Sequence, residues 1–369
     1  MQILMCFGTR PEAIKMAPLY HELQKNNFDV KVCVTAQHRE MLDQVLEFFK
    51  IVPDYDLDLM QPDQTLNRLS ASILFKMDEV LTAVKPDLVL VHGDTTTSAM
   101  VALSAFHLGI KVGHVEAGLR TYNKLAPFPE EINRQFTSII ADIHFTPTAA
   151  ATQNLLKEGI HQEAIVETGN TVIDALLWTI DKIEDEHYSH LEIENLKKIL
   201  PVHKKMVLVT GHRRENFGEG FVNLCEALLT VSKRDDVAIV YPVHLNPNVK
   251  DIVYEKLASK TNIYLIPPVS YPAFVWLMQQ SFLIVTDSGG IQEEAPTLGK
   301  PVLVTRTVSE RPEGVAAGFS VLVGTEQQII KDNIDLILNC FSGFKNQINP
   351  YGMGLASKRI VVHLLNKTE

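Results

Sequence analysis

The stretch that decides the fold runs from residue 88 to residue 97 and reads LVLVHGDTTT. Its apolar run, Leu88 to Val91, is typical of a strand that is buried on both faces of a parallel sheet. Gly93 and Asp94 then end the strand, and the threonines that follow can cap and begin a helix. A buried strand, a turn and a helix form the repeating unit of α/β proteins.

The same unit repeats along the whole chain. Short strand-like apolar runs alternate with segments of helical periodicity. The strand-like runs cover residues 3–7, 30–34, 88–91, 112–115, 143–145, 207–209, 237–241, 263–266, 282–285 and 302–304. The clearest helical segments cover residues 13–24, 65–83, 96–108, 221–232 and 273–280. This alternation predicts parallel sheets with helices packed on them.

The alternation pauses after Gly169, where a polar stretch, residues 181–198, precedes the next clear strand. A chain of 369 residues is also too long for one ordinary hydrophobic core. We therefore predict two doubly wound domains, residues 1–170 and 171–355. A final amphipathic helix, at about residues 356–369, is expected to pack back on the first domain. Ligands bind at the carboxyl ends of the strands in such sheets, and we expect the two domains to face a central cleft there.

The composition excludes several classes of protein. Hydrophobic residues make up 46% and charged residues 21%, which is close to average globular usage. The 34 lysines and arginines are outnumbered by 44 aspartates and glutamates, so the net charge is −10, and no basic tract occurs. Nucleic acid and anionic membrane surfaces need clustered cations and are therefore not expected partners. A small anionic ligand needs only a few local positive groups.

The sequence predicts a cytoplasmic protein. No run of 18 or more apolar residues occurs, and the apolar start leads into a turn at Gly8 rather than into a signal-peptide cleavage site. The four cysteines lie far apart and form no CxxC pair. They are expected to be reduced, packed thiols.

The turn after the first strand reads GTRPEAIK, residues 8–15, and contains two cations near the start of a predicted helix. Gly8 permits a tight turn, and Pro11 suits the first position of a helix. Arg10 and Lys15 are therefore candidates for binding an anion such as a diphosphate. A capped helix with solvated charges explains the pattern equally well, so both interpretations stay open.

Three carboxylates of the first half follow strands or begin a helix. Asp94 and Glu116 each end a strand, and Glu130 begins a helix after a proline-rich loop. Acid–base chemistry requires such groups to converge, and neighbouring strand ends would bring them together. Asp94 alone would be explained as a helix N-cap. Together the three carboxylates are candidate acid–base residues.

The second half places a histidine and a glycine pair directly after strands. A lone histidine is often structural, but the position of His212 in a loop at a strand end favours a functional role. Ser288, Gly289 and Gly290 follow another strand, where backbone N–H groups can cradle phosphate oxygens. Glu294 lies one helical turn further on and could hold ribose hydroxyls. The alternative is a plain turn with a serine cap.

Several motifs are absent. The 13 histidines show no HxxxH or HExxH spacing, so no metal site is expected. GxGxxG and GxSxG do not occur either, which leaves a dinucleotide cofactor and acyl-enzyme chemistry without support. We predict neither a metal nor an organic cofactor.

Seven sequence blocks together resemble those of the non-hydrolysing UDP-N-acetylglucosamine 2-epimerase family. They run through nearly the whole chain in the order of the family, which chance does not explain. The blocks are GTRPEAIKMAPL (8–19), VLVHGDTTT (89–97), HVEAGLRT (114–121), PFPEEINRQ (127–135), GHRREN (211–216), DSGGIQEEAP (287–296) and ERPEG (310–314).

The resemblance implies two Rossmann-like domains in the arrangement of the B-type glycosyltransferase fold, usually as a homodimer. It also implies reversible epimerisation at C2 between UDP-N-acetylglucosamine and UDP-N-acetylmannosamine. Members of that family eliminate UDP in an anti sense while a base removes the C2 proton, which gives 2-acetamidoglucal. UDP then adds back in a syn sense, with the proton delivered to the opposite face. The product supplies N-acetylmannosamine-type sugars for cell-surface polysaccharides.

The resemblance also assigns roles to residues, motif by motif. The catalytic positions of the family match Asp94, Glu116, Glu130 and His212. The positions that hold the nucleotide match Arg10, Lys15, Ser288, Gly289, Gly290, Glu294 and Arg311. Bacterial relatives can bind a second UDP-N-acetylglucosamine as an allosteric activator, and that site matches Gln37 and His244. Two positions depart from the family pattern, Glu40 in place of a glutamine and Val269 in place of a polar residue or leucine.

Three other functions fit parts of the pattern. A UDP-sugar glycosyltransferase shares the fold but would need an acceptor site rather than this set of acids. A hydrolysing epimerase releases free N-acetylmannosamine and often carries a fused kinase domain, for which 369 residues leave no room. A non-catalytic sugar-nucleotide sensor would not require the four intact catalytic positions.

Overall fold

The computed structural model describes residues 1–36, 39–61, 64–201, 203–309, 311–344 and 347–367. The chain divides into two compact units. Unit 1 comprises Met1–Ala175 together with the chain from Tyr351 onward, and unit 2 comprises Leu176–Pro350. The predicted bounds, 1–170 and 171–355, differ from these units at both junctions. Within the described ranges, no helix combines the length and the apolar character needed to span a bilayer.

Unit 1 contains a parallel sheet of seven strands. The strands are β1 (Gln2–Phe7), β2 (Asp29–Val34), β3 (Tyr55–Asp56), β4 (Leu88–His92), β5 (Lys111–Val115), β6 (Ile143–Thr146) and β7 (Ile165–Glu167). Their order across the sheet is β3-β2-β1-β4-β5-β6-β7. Strand β1 pairs with both β2 and β4, so the chain reverses its direction of travel across the sheet at this point. Such a switch point leaves a crevice at the carboxyl ends of the two strands.

The helices of unit 1 cross between these strands. They are α1 (Arg10–Lys25), α2 (Arg39–Phe49), α3 (Leu66–Val84), α4 (Thr96–His107), α5 (Glu130–Ile140) and α6 (Ala149–Lys157), while α7 (Thr171–Glu184) continues into unit 2. Helix α1 begins only two residues after β1 because Thr9 and Glu12 form a capping box. The Thr9 hydroxyl accepts the N–H of Glu12, and the Glu12 carboxylate accepts the N–H of Thr9 at 2.8 Å.

Unit 2 repeats the architecture with a parallel sheet of six strands. The strands are β8 (Lys205–Thr210), β9 (Val237–Pro242), β10 (Ile263–Ile266), β11 (Leu283–Thr286), β12 (Val302–Val304) and β13 (Ser320–Leu322), in the order β10-β9-β8-β11-β12-β13. The helices are α8 (Leu191–Ile199), α9 (Glu219–Val231), α10 (Pro247–Leu257), α11 (Tyr271–Gln280), α12 (Gly289–Glu294), α13 (Pro312–Ala316) and α14 (Gln327–Cys340). Here the switch point lies between β8 and β11.

The last helix, α15 (Ala356–Asn366), belongs to unit 1 and packs against α1. Its inner face, with Ile360, Val361 and Leu364, is buried. No side chain of its own caps its start, and the buried carboxylate of Asp174 does so instead. That carboxylate accepts the N–H groups of Ala356 at 3.2 Å and Ser357 at 2.8 Å.

The two sheets confirm the predicted doubly wound α/β fold. Each of the ten predicted strand-like runs coincides with a strand. The strands that the sequence analysis missed, β3, β7 and β13, lie at sheet edges and are only two or three residues long. Helix α8 lies mostly within the polar stretch at 181–198, for which the sequence analysis named no element.

Candidate active site

The residues predicted to carry chemistry in unit 1 lie at the carboxyl ends of three neighbouring strands. Arg10 begins α1 after β1, Asp94 follows β4, and Glu116 follows β5. Glu130 is the first residue of α5, which packs against α4 and β5. The switch point of the sheet therefore brings these turns to one edge of unit 1.

Glu116 has an unusual backbone and a cationic neighbour. Its φ of 63° lies in the left-handed region, which a residue with a side chain rarely adopts. Its Oε2 forms an ion pair with Lys15 Nζ. The Nε2 atom of His92 lies 3.2 Å from the same oxygen but is not aligned for a hydrogen bond. Lys15 therefore pairs with a candidate catalytic carboxylate, and its contact with a nucleotide stays a prediction.

Asp94 is held by the helix that carries Glu130. The Oδ2 atom of Asp94 accepts a hydrogen bond from Arg134 Nε at 2.9 Å and lies 2.6 Å from Nη2 of the same guanidinium in an ion pair. The side chain of Asn133 donates to the main-chain oxygen of Asp94 at 2.9 Å. The Asp94 side chain is 28% exposed. Asp94 is not the N-cap of α4, because Thr95 occupies that position.

Glu130 presents a buried oxygen. Its Oε2 atom accepts no hydrogen bond from the part of the chain that the structure describes. Buried carboxylate oxygens are ordinarily hydrogen-bonded, so a vacant one at a strand-end cluster is available to a ligand or to a proton in transfer. This feature distinguishes Glu130 from Asp94 and Glu116, which both have a cationic partner.

A buried carboxylate that the sequence analysis did not single out, Glu12, joins two of these turns. Its Oε2 accepts the N–H groups of Gly8 at 3.0 Å and Thr9 at 2.8 Å. Its Oε1 accepts hydrogen bonds from the hydroxyls of Thr95 at 2.7 Å and Ser98 at 3.2 Å. Glu12 therefore fixes the turn after β1 against the turn after β4. The capping-box spacing from Thr9 to Glu12 was the sequence signal that could have identified it.

A second such carboxylate is Glu131, which is completely buried beside Glu130. Its oxygens accept the N–H groups of Thr121 at 2.9 Å and Tyr122 at 3.0 Å and the side chain of Gln135 at 2.9 Å. Burial acts to raise the pKa of Glu131, but these hydrogen bonds and the Arg134 cation outweigh it, and the pKa is lowered. Glu131 is therefore an ionised anchor for the loop before α5.

Two buried histidines stand behind this edge on β5 and β6. Burial lowers the pKa of His114 to about 3 and that of His144 to about 4. The Nε2 atom of His114 lies 2.7 Å from the carbonyl oxygen of Gly93. Both imidazoles are neutral near physiological pH, so they pack the sheet rather than supply charge.

In unit 2, His212 stands after β8 beside the buried carboxylate of Asp287, which follows β11. The N–H groups of His212 and Arg213 both donate to Asp287 Oδ2 at 2.9 Å. His212 Nδ1 lies 3.4 Å from Asp287 Oδ1 without the alignment of a hydrogen bond. Although 43% of the side chain is exposed, burial lowers the pKa of His212; Asp287 opposes this shift, and Arg213 and His244 add to it.

Of the two residues predicted to bind an allosteric activator, Gln37 and His244, only His244 lies within the described residues. The His244 ring stacks on that of His212, with ring centroids 5.6 Å apart and an interplanar angle of 23°. His244 is therefore a direct neighbour of a candidate catalytic residue. Gln37 lies outside the described residues.

The predicted phosphate-binding turn begins α12. Ser288 is the N-cap residue, but its side chain makes no capping hydrogen bond. The Arg311 guanidinium lies beside Gly289, where an added Cβ would be 3.7 Å from Cζ. At Gly290 no atom of the described residues lies within 4 Å of an added Cβ. Nε of Arg311 forms an ion pair with the buried Glu293. The predicted residues Ser288, Gly289 and Arg311 are thus brought together within unit 2.

Glu294 lies at the end of the same helix and is buried. Its Oε1 accepts a hydrogen bond from the hydroxyl of Tyr271 at 2.9 Å. Tyr271 is the first residue of α11 and follows Val269, one of the positions that depart from the family pattern. The ribose-binding role of Glu294 stays a prediction.

The described ranges contain no group of three or more His, Cys, Asp or Glu side chains placed to hold a metal ion.

Asp287 and Glu293 were quoted in the sequence only as parts of a motif. Their role in holding His212 and Arg311 follows from burial and contact, which the sequence does not display.

Two Rossmann-like units define a protein of the B-type glycosyltransferase fold. The spinosyn rhamnosyltransferase SpnG shares this fold, with a TM-score of 0.56 over 99% of this chain and 96% of that chain, at 15% identity. The sequence model of the UDP-N-acetylglucosamine 2-epimerase family matches residues 21–365, and the chain belongs to that family.

Individual relatives are similar to this chain over nearly its whole length. The UDP-N-acetylglucosamine 2-epimerase of Escherichia coli strain K12 is 53% identical over 371 residues, which is 99% of each chain. The crystal structure of UDP-GlcNAc 2-epimerase from Neisseria meningitidis bound to UDP-GlcNAc has a TM-score of 0.93 and 49% identity, and covers 99% of this chain and 100% of that chain. The resemblance recognised in the sequence blocks is confirmed.

Proposed function

We propose that this protein interconverts UDP-N-acetylglucosamine and UDP-N-acetylmannosamine by inverting C2. The observation that carries the proposal is the grouping of Asp94, Glu116 and Glu130 at the switch point of unit 1, in a chain of the epimerase family. The relative from Neisseria meningitidis, at 49% identity, is described as bound to UDP-GlcNAc. These findings support the substrate class and the presence of acid–base groups.

The proposed reaction is an elimination followed by a re-addition. A carboxylate removes the C2 proton, the C2–H electron pair forms the C1=C2 double bond, and the C1–O bond breaks with its electrons leaving on UDP. The intermediate is 2-acetamidoglucal. UDP then returns to C1 while a proton is delivered to the opposite face of C2. The C2 proton is weakly acidic, so the step needs a positioned base and stabilisation of the charge that develops at C1 and on the diphosphate.

The two units divide these tasks in the proposal. Unit 1 supplies the base and the acid from Asp94, Glu116 and Glu130, with the assignment among them open. Unit 2 supplies His212 as a catalytic residue, Arg311 and the N–H groups at Ser288 to Gly290 for the diphosphate, and Glu294 for the ribose. Arg10 and Lys15 complete the nucleotide contacts. Metal and organic cofactors are not needed, since side chains handle the proton and charge.

Other features belong to the proposal through family membership. The protein acts as a homodimer in the cytoplasm and supplies N-acetylmannosamine-type sugars for a cell-surface polysaccharide. A second UDP-N-acetylglucosamine activates it by contacting Gln37 and His244. The stacking of His244 on His212 supports a route from that site to the chemistry.

Proton NMR of the purified protein with UDP-N-acetylglucosamine in deuterated water tests the proposal. We expect signals of the manno epimer to appear and the C2 position to exchange its proton for deuterium, with and without a chelator. Free N-acetylmannosamine plus UDP would indicate a hydrolysing epimerase instead. Sugar transfer to an added acceptor without exchange at C2 would indicate a glycosyltransferase, and binding without any reaction would indicate a sensor.

A further inference from the structure

We propose that Arg134 is a positioning residue for Asp94: it holds one carboxylate oxygen and leaves the other to act on the substrate. The proposal rests on the proposed function. Arg134 lies one helical turn after Glu130 on α5, and its guanidinium reaches Oδ2 of Asp94 with two nitrogens, at 2.9 Å and 2.6 Å. Oδ1 accepts no hydrogen bond from the described ranges of the chain, so it is the oxygen that remains for chemistry.

The guanidinium is itself fixed from behind. Its Nη1 donates to Oε2 of Glu131 at 3.3 Å, and Glu131 is anchored by the N–H groups of Thr121 and Tyr122. The Arg134 side chain is only 8% exposed. The planar guanidinium contacts Asp94 on one side and Glu131 on the other. This rigid fork of N–H donors orients a carboxylate in a way that the flexible ammonium of a lysine cannot. Because a misplacement of about 1 Å can cost roughly 100-fold in rate, loss of this fork should act through Asp94 on turnover.

A second contact from α5 also positions Asp94. The side chain of Asn133, the neighbouring residue on α5, donates to the main-chain oxygen of Asp94 at 2.9 Å. Helix α5 therefore holds both the backbone and the side chain of Asp94. It also carries Glu130, so the fork sets the relation between two candidate acid–base residues on different elements.

The test is a double-mutant cycle between Arg134 and Asp94. We expect Arg134→Gln to lower kcat by roughly tenfold to 100-fold while UDP affinity, measured by calorimetry, changes by no more than a few fold. Arg134→Lys should recover only a small part of kcat, because it cannot form the fork. In an Asp94→Asn background, Arg134→Gln should cost little further turnover, since both residues act in one step.

The matched control is Arg120→Gln. Arg120 is another buried arginine, which pairs with Glu158 at 2.8 Å and also contacts α5 through Ser138 at 2.8 Å, but it has no hydrogen bond to Asp94. Its effect on turnover should be small, and it should add to that of Asp94→Asn. Melting temperatures and circular dichroism are recorded for each variant. If Arg134→Gln does not fold, the same cycle is run with Arg134→Lys.

Three outcomes would contradict the proposal. Normal kcat in a folded Arg134→Gln or Arg134→Lys would overturn it. Losses that add to that of Asp94→Asn would assign Arg134 a general structural role instead. A wild-type protein that neither epimerises nor exchanges deuterium at C2 would overturn the proposed function together with this inference, whereas the first two outcomes leave the function intact.

Discussion

The candidate residues of the two units differ in their chemistry and in the partners that hold them. In unit 1 the groups at the strand ends are carboxylates, and cations stand beside them, as Lys15 does for Glu116 and Arg134 for Asp94. In unit 2 the corresponding groups are a histidine, which follows β8, and an arginine, which precedes α13. Here the buried partner is a carboxylate, Asp287 for His212 and Glu293 for Arg311. The same fold thus presents carboxylates in one unit and nitrogen-bearing side chains, a histidine and an arginine, in the other.

This difference corresponds to the two halves of a UDP-sugar. A carboxylate can take a proton from carbon or stabilise positive charge at C1, and a cation can stabilise the departing diphosphate. The partner behind each group fixes its direction and compensates its charge within the unit. If the proposed function is correct, substitution of the carboxylates of unit 1 should affect turnover, and substitution of Arg311 in unit 2 should affect nucleotide binding.

The largest expected effect comes from the acids. Asp94→Asn, Glu116→Gln and Glu130→Gln keep the size of the side chain, so the fold should survive. At least two of the three should lose roughly 100-fold or more in turnover, while UDP affinity stays within a few fold. At least one should also stop the exchange of deuterium into C2. The exposed Glu47→Gln serves as the control, and normal turnover in all three variants would show that these carboxylates are structural.

A smaller effect is expected for Arg311. Arg311→Ala should weaken UDP by about 1–3 kcal/mol, the range for charge-assisted hydrogen bonds. Because this change leaves the buried Glu293 without its cation, Arg311→Lys is measured alongside it. Arg234→Ala, which removes a surface arginine of the same unit, should leave UDP binding unchanged. Calorimetry decides, and unaltered UDP affinity in both Arg311 variants would remove this residue from the nucleotide site.

Acid should destabilise unit 1 in particular, because burial shifts the pKa values of its histidines on β5 and β6 far below 6.5, although burial lowers the pKa of His212 in unit 2 as well. His114 and His144 remain neutral when folded, with pKa values of about 3 and 4, but take up protons once unfolded, where the value is 6.5. Each should therefore remove about 1.4 kcal/mol of stability per pH unit as the pH falls below 6.5. Amide exchange in β5 and β6 should rise accordingly, and His114→Gln should flatten this dependence.

Tryptophan fluorescence reports on unit 2 in the same pH titration. Trp178 and Trp276, the two tryptophans of the chain, both belong to unit 2. Their signal should change at lower pH than the amide exchange in β5 and β6. Loss of the tryptophan signal before amide protection is lost in β5 would contradict this order. The exposed His107→Gln is the control for the histidine substitution.

The smallest expected effect concerns Asp174, which caps α15 from another helix. Asp174→Ala should cost about 1 kcal/mol, as for the loss of an ordinary N-cap. Amide exchange should increase first in α15, with kcat unchanged. Asp181→Ala, on the same helix, is the control. Equal protection of α15 in the wild type and in Asp174→Ala would show that apolar packing alone holds it.

The sequence predicted the fold well where apolar runs are long and buried. Strands such as β4 and β9 are continuous apolar segments, whereas β3 and β13 at the sheet edges are too short to produce a pattern. Candidate residues were found where they follow a strand, as Asp94 and His212 do. The residues behind them, such as Arg134, could not be recognised, because their importance depends on contacts between distant segments.

Unit 1 is discontinuous along the chain, and this has a consequence for how the protein is made. Helix α15, which buries Ile360 and Leu364 in packing with α1, is translated only after all of unit 2. On the ribosome, one apolar face of α1 therefore stays uncovered until α15 is made. Unit 2 is synthesised during this time and can already fold. Residues of unit 1 both precede and follow those of unit 2 along the chain, so a chaperone that shields α1 until α15 is made would protect the nascent protein from aggregation.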